Sequence, residues 1–416
     1  MRALLLAAAL AFSPAAFAQD TPDYSVIMAE AQAAFAAEDW ATLSEKLDAA
    51  QAIRPYSLYL TRNRILARSL LGDYEEATAL ARKAAERGLS LSLAGHPGFD
   101  TLTARPGFKA IADKMAANLS PIGEATMWRV HDDAALLPEA VAYDAPRKQA
   151  YVGSARSGRI LRFHDGGVQA EGFAFAPGGV YAIEISDKTL WAAANTGSPF
   201  ENAAPDTSSA GVYAYRLRDG ALISEHVLND NKAVLGALEA TPAGLVASDS
   251  GEPRLFILRK DAKALEAFSE DPRYVNLQGV AYDESRKTLF VADYLAGLFS
   301  VDLKTGAASL IANEADAHLG GVDGLYAYKG DLIGIQNGTS PQRIVRLRLN
   351  AAGDAVERLD VLQQSLPEWN EPTNGAIVGG ALIYVATSNW PAYGDAGAEI
   401  VGARREPLRL MSVGLD

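Results

Sequence analysis

Six segments of the chain repeat one pattern, and this repeat constrains the fold more than any other feature of the sequence. Each segment pairs two short apolar runs, and its first and last residues stand 14 or 15 positions apart. From residue 123 onward each unit takes about 49 residues, which suits four short strands with their turns. The pattern therefore predicts a six-bladed β-propeller. The six segments are 139–154, 180–195, 235–249, 278–293, 323–337 and 374–389.

The strand order also indicates how the ring of blades closes. A third strand follows the pair in each unit, and in the last unit it falls at 408–411, just before the chain ends. The sixth unit is then one strand short, and residues 127–130 are placed to supply that strand. Joining the first and last blades in this way leaves no open sheet edge. We therefore expect the propeller to occupy 123–416.

A helical region precedes the propeller. Between Tyr24 and Leu119, apolar residues recur every three or four positions, which is the period of an amphipathic helix. Segments 38–43 and 72–77 match at a shift of 34, and this resembles the tetratricopeptide repeat. We expect 19–122 to form a tetratricopeptide-like domain. It serves either to dock a protein partner or to pack against one surface of the propeller.

The first 18 residues have the three parts of an export signal. A single arginine is followed by an apolar stretch over 3–12 and by the small-x-small pattern at 16–18. A membrane anchor, the alternative, needs about 20 apolar residues, and Pro14 interrupts this run. We expect a signal peptide, cleavage near Ala18-Gln19, no membrane span, and a periplasmic or secreted protein.

Charge and residue types exclude several classes of function. Lys and Arg total 38 against 51 Asp and Glu, and the formal net charge of −13 disfavours nucleic acid as a partner. The absence of cysteine excludes disulfides, thiolate catalysis and Cys-ligated zinc. No phosphate-binding loop, dinucleotide fingerprint or G-x-S-x-G elbow appears in a suitable strand–turn–helix context.

Two rings of residues are predicted at one mouth of the central channel. The first strand of each propeller blade starts on the face where the second strand ends, so both ends of the six segments meet there. Most of these residues are carboxylates or amides, the oxygen ligands of calcium and magnesium. Asp and Asn at strand ends also cap turns, which is a purely structural alternative for the second ring. The first ring reads Glu139, Val180, Leu235, Gln278, Asp323 and Asn374, and the second reads Ser154, Asn195, Asp249, Asp293, Asn337 and Asn389.

The phrases at 138–141, 278–282 and 323–325, in the first, fourth and fifth units, resemble the gluconolactonase/regucalcin family, to which strictosidine-synthase-like propellers are related. The resemblance implies one divalent cation, usually calcium, held by an opening Glu, by Asn residues of the third and fourth blades and by an Asp of the fifth. Carried onto this sequence, the ligands are Glu139, Gln278 and Asp323, whereas the third-blade position is the apolar Leu235. The phrases that carry the resemblance are 138–141 with 151–152 and 158–160, 278–282 with 289–293, and 323–325.

Together with the export signal, this resemblance implies an exported lactonase- or esterase-like propeller. A cation would polarise the carbonyl of a lactone or ester, and Asp323 would take a proton from water. His318 precedes Asp323 by five residues and is a second candidate catalytic residue, with a solvated loop histidine as the alternative. A propeller that binds a ligand or protein partner without catalysis is the competing hypothesis. Two insertions, 196–210 and 390–406, are expected to roof the channel mouth, with Phe200, Trp390 and Tyr393 as candidates to line a pocket.

Overall fold

A computed structural model describes residues 22–164, 169–203, 208–394 and 397–416. The predicted signal peptide lies outside these residues, as do parts of both insertions. Helices dominate the region before residue 119, and none in the described ranges is long and apolar enough to cross a bilayer. The helices are α1 (Pro22–Ala36), α2 (Trp40–Ile53), α3 (Leu58–Leu71), α4 (Tyr74–Glu86), α5 (Asp100–Thr103) and α6 (Phe108–Asn118).

The helix boundaries follow from capping residues that recur in the sequence. The Asp39 carboxylate accepts a hydrogen bond from the Thr42 amide, and Asp73 does the same for Glu76, so each side chain satisfies a free donor in the first turn. Gly72 ends α3 with a φ of 85°, a conformation that glycine adopts without strain. The predicted helical region is therefore confirmed, and its tetratricopeptide-like character remains a prediction.

After residue 119, the described residues form six sheets arranged as the blades of a propeller, antiparallel except for one short edge strand, which confirms the predicted fold. The strands are β1 (Thr126–His131), β2 (Pro138–Asp144), β3 (Gln149–Ser154), β4 (Arg159–Phe163), β5 (Ala170–Phe175), β6 (Gly179–Ser186), β7 (Thr189–Asn195), β8 (Ala210–Arg216), β9 (Leu222–Val227), β10 (Leu235–Thr241), β11 (Gly244–Asp249), β12 (Arg254–Leu258), β13 (Glu266–Glu270), β14 (Leu277–Asp283), β15 (Thr288–Asp293), β16 (Gly297–Val301), β17 (Ala308–Leu310), β18 (Ala312–Asn313), β19 (Val322–Tyr328), β20 (Asp331–Gln336), β21 (Arg343–Leu349), β22 (Ala355–Gln364), β23 (Gly375–Val378), β24 (Ala381–Val385) and β25 (Leu408–Gly414).

The ring closes through the N-terminal strand of the propeller, as the sequence predicts. Strand β1 pairs antiparallel with β25, with Met127 opposite Met411 and His131 opposite Leu408. The sixth blade therefore joins one strand from the start of the propeller to three from its end, in the order β1-β25-β24-β23. The fifth blade differs from the others, because the short strand β18 adds to its outer edge in parallel with β22.

The innermost strand carries a β-bulge in each of the first five blades, at its channel-mouth end. In β2, Pro138 lies opposite Ser154 and Ala140 opposite Gly153, so Glu139 between them is left unpaired. A bulge of this kind bends the strand and re-aims the side chain of the extra residue. The residues left unpaired in this way are Glu139, Tyr181, Gly236, Gln278 with Gly279, and Asp323.

The bulges correct part of the first ring. Val180 and Leu235 are not the unpaired residues of their strands; both are fully buried in the hydrophobic core. The unpaired positions of the second and third blades are one residue further on, at Tyr181 and Gly236. The apolar Leu235 therefore does not occupy a ligand position.

The helices pack against the fifth blade along a seam. The Tyr56 hydroxyl accepts a hydrogen bond of 3.1 Å from Asn313 Nδ2, and the Arg87 guanidinium pairs with Asp316. Further along, Gln364 Nε2 donates to the carbonyl oxygen atoms of Asn118 and Ser120, at 2.8 and 2.9 Å. These contacts tie the middle and the C-terminal end of the helical region to the fifth blade, and the Tyr56 amide also donates to Leu295 of the fourth blade at 3.0 Å.

Candidate functional site

Three carboxylates meet at the mouth of the channel, and we refer to Glu139, Asp323 and Glu371 as the mouth carboxylates. The bulges of β2 and β19 present Glu139 and Asp323. Glu371 lies in the loop before β23 with a φ of 59°, a left-handed conformation that costs an L-residue about 1–2 kcal/mol. Strain of this kind tends to persist at functional sites, where the surrounding structure enforces it.

Each of the first two carboxylates is held by one neutral side-chain donor. Trp390 Nε1 donates to Glu139 Oε2 at 2.7 Å, and Asn337 Nδ2 donates to Asp323 Oδ2 at 2.7 Å. The Tyr294 hydroxyl donates in turn to Asn337 Oδ1 at 2.9 Å and so fixes the orientation of that amide. Within the described ranges, no Lys, Arg or His side chain forms an ion pair with a mouth carboxylate.

The electrostatics of the cluster show an excess of negative charge. Burial raises the pKa of Asp323 to about 6, although the bond from Asn337 opposes the shift. Burial and then the charge of Asp323 raise the pKa of Glu371 to about 7. For Glu139, burial and the charge of Asp323 raise the pKa well above its usual range. Like charges that share a low-dielectric site cannot all ionise without a counter-ion.

Aromatic side chains form a wall beside the carboxylates. The Trp390 ring lies 6.4 Å from that of Tyr181 and 6.3 Å from that of Tyr393, measured between centroids. On the opposite side, the Tyr326 hydroxyl accepts a 2.6 Å hydrogen bond from the amide of Gly375. A Cβ on Gly324 would stand 2.6 Å from that hydroxyl, so only glycine permits this approach. The mouth therefore combines negative charge with apolar surface.

The donor types at the mouth suit a hard divalent cation. Carboxylate oxygens of Glu139 and Asp323 are the ligands that calcium and magnesium prefer. The Thr373 hydroxyl, fully buried, has no hydrogen-bond partner in the described part of the chain and lies near enough to Glu139 to lower its pKa. Among the described residues no group of three His, Asp or Glu side chains already stands at metal-binding distances. The residues thus match a hard cation in charge and ligand type, whereas their spacing does not form a ready coordination shell within the described residues.

The third implied ligand, Gln278, stands at the bulge of the fourth blade. Its Nε2 donates to Asn276 Oδ1 at 2.7 Å. Its Oε1 borders the space that Gly236 leaves open, since a Cβ on that glycine would lie 3.5 Å from the oxygen. The amide is therefore anchored by its nitrogen, while its oxygen faces the neighbouring bulge.

The residues predicted for the second ring divide into two groups. Four of them bond chiefly to backbone: Asn195 to Leu235, Asp249 to residues 234, 251 and 252, Asp293 to residues 275, 276, 295 and 296, and Asn389 to Glu406. Such capping is the structural alternative that the sequence left open. Ser154 also bonds to backbone, through the Leu136 carbonyl oxygen, whereas Asn337 holds Asp323. In the first ring, Asn374 Oδ1 lies 3.2 Å from where a Cβ on Gly324 would stand.

His318 belongs to the seam between the helices and the fifth blade. It is 3% exposed and packs edge-on against Tyr56, with 5.3 Å between ring centroids. Burial, Arg343 and Arg87 lower its pKa to about 3, so it is neutral at pH 7. It is therefore not a solvated loop histidine. The groups that surround it are arginines and a tyrosine, and Asp323 is not among them.

A cleft of about 570 Å³ opens beside the sixth blade. Its lining does not include Glu139 or Asp323, and of its two acids, Glu406 is paired with Arg404 and Arg409, which leaves no uncompensated group of acids there among the described residues. We therefore take the mouth carboxylates, and not this cleft, as the candidate site. The cleft is lined by Pro367, Glu368, Trp369, Asn370, Pro391, Ala403, Arg404, Glu406 and Arg409.

Sequence reasoning missed Glu371, Tyr181, Tyr294 and Tyr326. Tyr294 carried a weak signal, because it directly follows the strand-end residue Asp293, as Asn337 follows Gln336 in the next blade. Those two following residues are the pair that hydrogen-bond to each other at the mouth. Glu371 lies in a loop outside the repeated segments, so no period reveals it.

Comparisons with known proteins complete the description of the site. No protein-family model and no curated protein matches the chain. Among solved structures, it is similar to the calcium-binding protein regucalcin of Agrobacterium tumefaciens, at 14% identity, 69% coverage of this chain, 95% of the other, and a TM-score of 0.48. It is also similar to a PQQ-bound aldose sugar dehydrogenase from Streptomyces coelicolor, at 15% identity, 70% and 100% coverage, and a TM-score of 0.46. It is similar as well to a luciferin-regenerating enzyme, at 13% identity, 71% coverage of this chain, 95% of the other, and a TM-score of 0.46. At these scores none of the likenesses supports an inference about ligand or activity, and the six blades rest on the strand pairing itself.

Proposed function

We propose that this propeller binds a divalent cation, calcium by preference, at the mouth carboxylates and hydrolyses a lactone or related ester there. One observation carries the proposal: three carboxylates from three parts of the ring, one buried and two half-buried, lie together without a described cationic side chain to offset them. Burying uncompensated charge is costly, and a bound cation removes that cost.

The residues that would hold the cation are Glu139 and Asp323, with the oxygen of Gln278 as a further donor. Bound there, a divalent cation supplies polarisation of the substrate carbonyl. Asn337 holds one oxygen of Asp323, which leaves Oδ1 to accept the proton of an attacking water. Burial raises the pKa of Asp323 to about 6 in the metal-free protein, and a bound cation would lower it again, so that the carboxylate is ionised at neutral pH as a general base must be. In the overall step the water oxygen bonds to the carbonyl carbon, the ring C–O bond breaks, and the proton passes to the leaving alkoxide.

The neighbouring side chains orient the acids and shape the pocket. Tyr294 fixes Asn337, and Asn337 fixes Asp323, so the orientation of the base is set by two successive hydrogen bonds. Trp390 holds Glu139 through its indole nitrogen and, with Tyr181, gives the apolar surface on which the carbon skeleton of a small ester can rest. Such a surface excludes water from the reacting bond.

The test is metal analysis of the purified protein combined with a screen of lactones and aryl esters. Wild type is expected to carry calcium and to turn over one of these substrates, and Asp323→Asn to lower kcat by about 10²–10⁴-fold. Asp249→Asn is the matched control, because Asp249 caps backbone amides away from the mouth carboxylates. Absence of both bound cation and turnover in wild type would contradict the proposal.

A non-catalytic, ligand-binding propeller is the second candidate. Its specific support is that no three acidic or histidine side chains of the described residues stand ready at metal distances. A protein partner bound by the helical region would belong to this function. Pull-downs with the full chain and with a variant lacking residues 19–122 distinguish the two, since equal recovery of partners removes the docking role.

We also propose that the chain is exported. The support is the three-part pattern of the first 18 residues, which is typical of a cleaved signal. Mass spectrometry of the protein from a periplasmic or culture fraction should find Gln19 at its N-terminus. Recovery only in the cytoplasm with an intact Met1 would contradict export.

A further inference from the structure

A buried arginine at the seam lacks a partner for one edge of its guanidinium. Arg343 begins strand β21 and is 1% exposed, which makes it the largest of the fully buried side chains in the described residues. Its Nη1 donates to the carbonyl oxygen of Arg87 at 3.2 Å. Its Nε and Nη2 have no hydrogen-bond partner within the described ranges. These two nitrogens carry parallel N–H bonds on the same edge, the geometry that accepts a planar oxyanion in bidentate fashion.

Two further unpartnered atoms belong to residues that neighbour Arg343. Gln336 is directly opposite Arg343 in the neighbouring strand, so both side chains project from the same face of the sheet. Its Nε2 donates to the carbonyl oxygen atoms of His318 and Gly320, both at 2.9 Å, which brings His318 to the same place. Gln336 Oε1 and His318 Nε2 are both buried and without partners among the described residues.

The charges around this place do not balance. Asp316 offsets the guanidinium of Arg87. No described carboxylate offsets Arg343, whose pKa burial lowers to about 10, so the group is still charged at neutral pH. A buried cation that lacks a counter-charge is strongly unfavourable. Water alone could satisfy the hydrogen bonds but would leave the charge.

We propose that the seam holds one small planar oxyanion, of the carboxylate or bicarbonate class, on the Nε–Nη2 edge of Arg343. His318, in its Nε2–H tautomer, donates the third hydrogen bond to it. Gln336 Oε1 accepts the hydroxyl of bicarbonate, a bond that formate cannot make, and so bicarbonate binds more tightly than formate. Chloride, which is spherical, uses the fork poorly and binds most weakly of the three.

The site would lock the helical region onto the propeller. Arg343 reaches across the seam to the backbone at Arg87, just after α4, and His318 packs against Tyr56 of the loop before α3. An anion bound between Arg343 and His318 would neutralise the charge of Arg343 and so stabilise both contacts across the seam. Its binding is therefore linked to the stability of the folded chain. This role is independent of the mouth carboxylates, whose hydrogen bonds involve none of these residues.

The test is the thermal stability of the full chain in bicarbonate, formate and chloride, at fixed pH and ionic strength. In wild type, Tm is expected to rise saturably by about 2 °C or more with bicarbonate, less with formate and least with chloride. Arg343→Met should lose this response. Arg346→Met is the matched control: it removes a buried arginine of the same strand that pairs with Asp331, so it lowers Tm but keeps the anion response.

A second variant keeps the test decisive should Arg343→Met fail to fold. Arg343→Lys retains a positive charge but has no planar fork, and it should lose the preference for bicarbonate and formate over chloride. Isothermal titration of bicarbonate should show one site per chain in wild type and none in Arg343→Met. A wild-type Tm that responds equally to all three anions, an unchanged preference in Arg343→Lys, or ordered water alone on this edge in a crystal grown in bicarbonate would overturn the proposal.

Discussion

Asp293 and Asp323 are aspartates near the same channel mouth, the first fully buried and the second half-buried, and their surroundings differ in kind. Asp293, at the end of β15, accepts four backbone hydrogen bonds of 2.6–2.9 Å, two on each oxygen. Asp323, at the bulge of β19, accepts a single bond from a side-chain amide. Both oxygens of Asp293 therefore have their hydrogen bonds from the backbone, whereas Asp323 Oδ1 is left to bind a ligand.

The same difference separates the two rings as a whole. Strand-end residues such as Asp249 and Asn195 bind the backbone of the approaching loop and hold successive strands together. Bulge residues such as Glu139 leave the ladder, and their side chains are supported only by other side chains. Polar residues at a propeller mouth therefore have two separate roles, and hydrogen-bond saturation distinguishes them better than residue type.

Exchanging a carboxylate for an amide at both positions gives the largest expected contrast. In Asp293→Asn the new NH₂ group faces backbone N–H donors, and the free energy of unfolding should fall by about 3 kcal/mol. In Asp323→Asn the repulsion with Glu139 is relieved, and the metal-free protein should be unchanged or about 1 kcal/mol more stable. Denaturant unfolding without divalent cations measures both. Equal destabilisation would contradict the division into two roles.

The raised pKa values predict an unusual pH dependence of stability for the metal-free protein. Glu371 has a folded-state pKa of about 7, above its unfolded value, so the folded state holds its proton longer. Its contribution to the free energy of unfolding is present at low pH and is lost as pH rises from about 4.5 to about 7. The loss of folding free energy is on the order of 2 kcal/mol, because solvent reaches the half-buried Glu371 side chain and screens part of the interaction.

Unfolding of wild type and Glu371→Gln across this pH range isolates that contribution. The variant should lack the decline, so it should become the more stable of the two near pH 8. Glu314→Gln, at an exposed position before the fifth blade, is the control and should follow wild type. If the free energy of unfolding had the same pH dependence in wild type and Glu371→Gln, burial and Asp323 would not raise the pKa of Glu371, and the prediction would be wrong.

The hydrogen bond from Trp390 to Glu139 tests whether side-chain support of a bulge residue matters for cation binding. Trp390→Phe keeps the aromatic wall but deletes the 2.7 Å bond to Glu139 Oε2, which should cost about 1–2 kcal/mol of cation affinity, or about tenfold. Trp369→Phe is the matched control, since its indole donates to Tyr384 and not to an acid. Calcium titration of both variants should show weakening in Trp390→Phe alone, and weakening in both or neither would count against the assignment.

The smallest expected effect is an increase in calcium affinity on substitution of Gly236. Gly236 is the unpaired bulge residue of the third blade, and a side chain there would point beside Gln278 Oε1. Gly236→Asn should add an amide oxygen to the mouth and tighten calcium binding about threefold, because affinity follows the number of oxygen ligands. Gly236→Ala adds the same Cβ without a donor and should leave affinity unchanged. An equal effect of the two substitutions would exclude Gly236 from the ligand shell.

Most of the fold could be predicted because it is repeated. The same strand pair recurs six times, so an irregular position in one unit can be recognised by comparison with the other five. The missing sixth-blade strand at 127–130 follows from the requirement to close the ring. The helices before Leu119 could be predicted for a similar reason, since their apolar period extends over several turns.

The site could be predicted only in part, because the side-chain period of a strand is two. An error of one residue exchanges the channel face for the core face. Spacings of 14 or 15 do not resolve such an error, so Val180 and Leu235 stood in the predicted ring where Tyr181 and Gly236 are the bulges. His318 was placed by its distance along the chain from Asp323, and sequence distance does not reveal the helices that cover it.

The central claim is that the mouth carboxylates form one divalent-cation site, and calcium titration of the metal-free protein tests it most directly. Calorimetry at pH 6 should show one calcium per chain in wild type, with release of protons because the pKa values of Asp323 and Glu371 lie near or above that pH. Asp323→Asn should weaken binding by about 100-fold or more, while a fully folded Asp249→Asn retains it. No binding in wild type, or equal affinity in wild type and Asp323→Asn, would contradict the account.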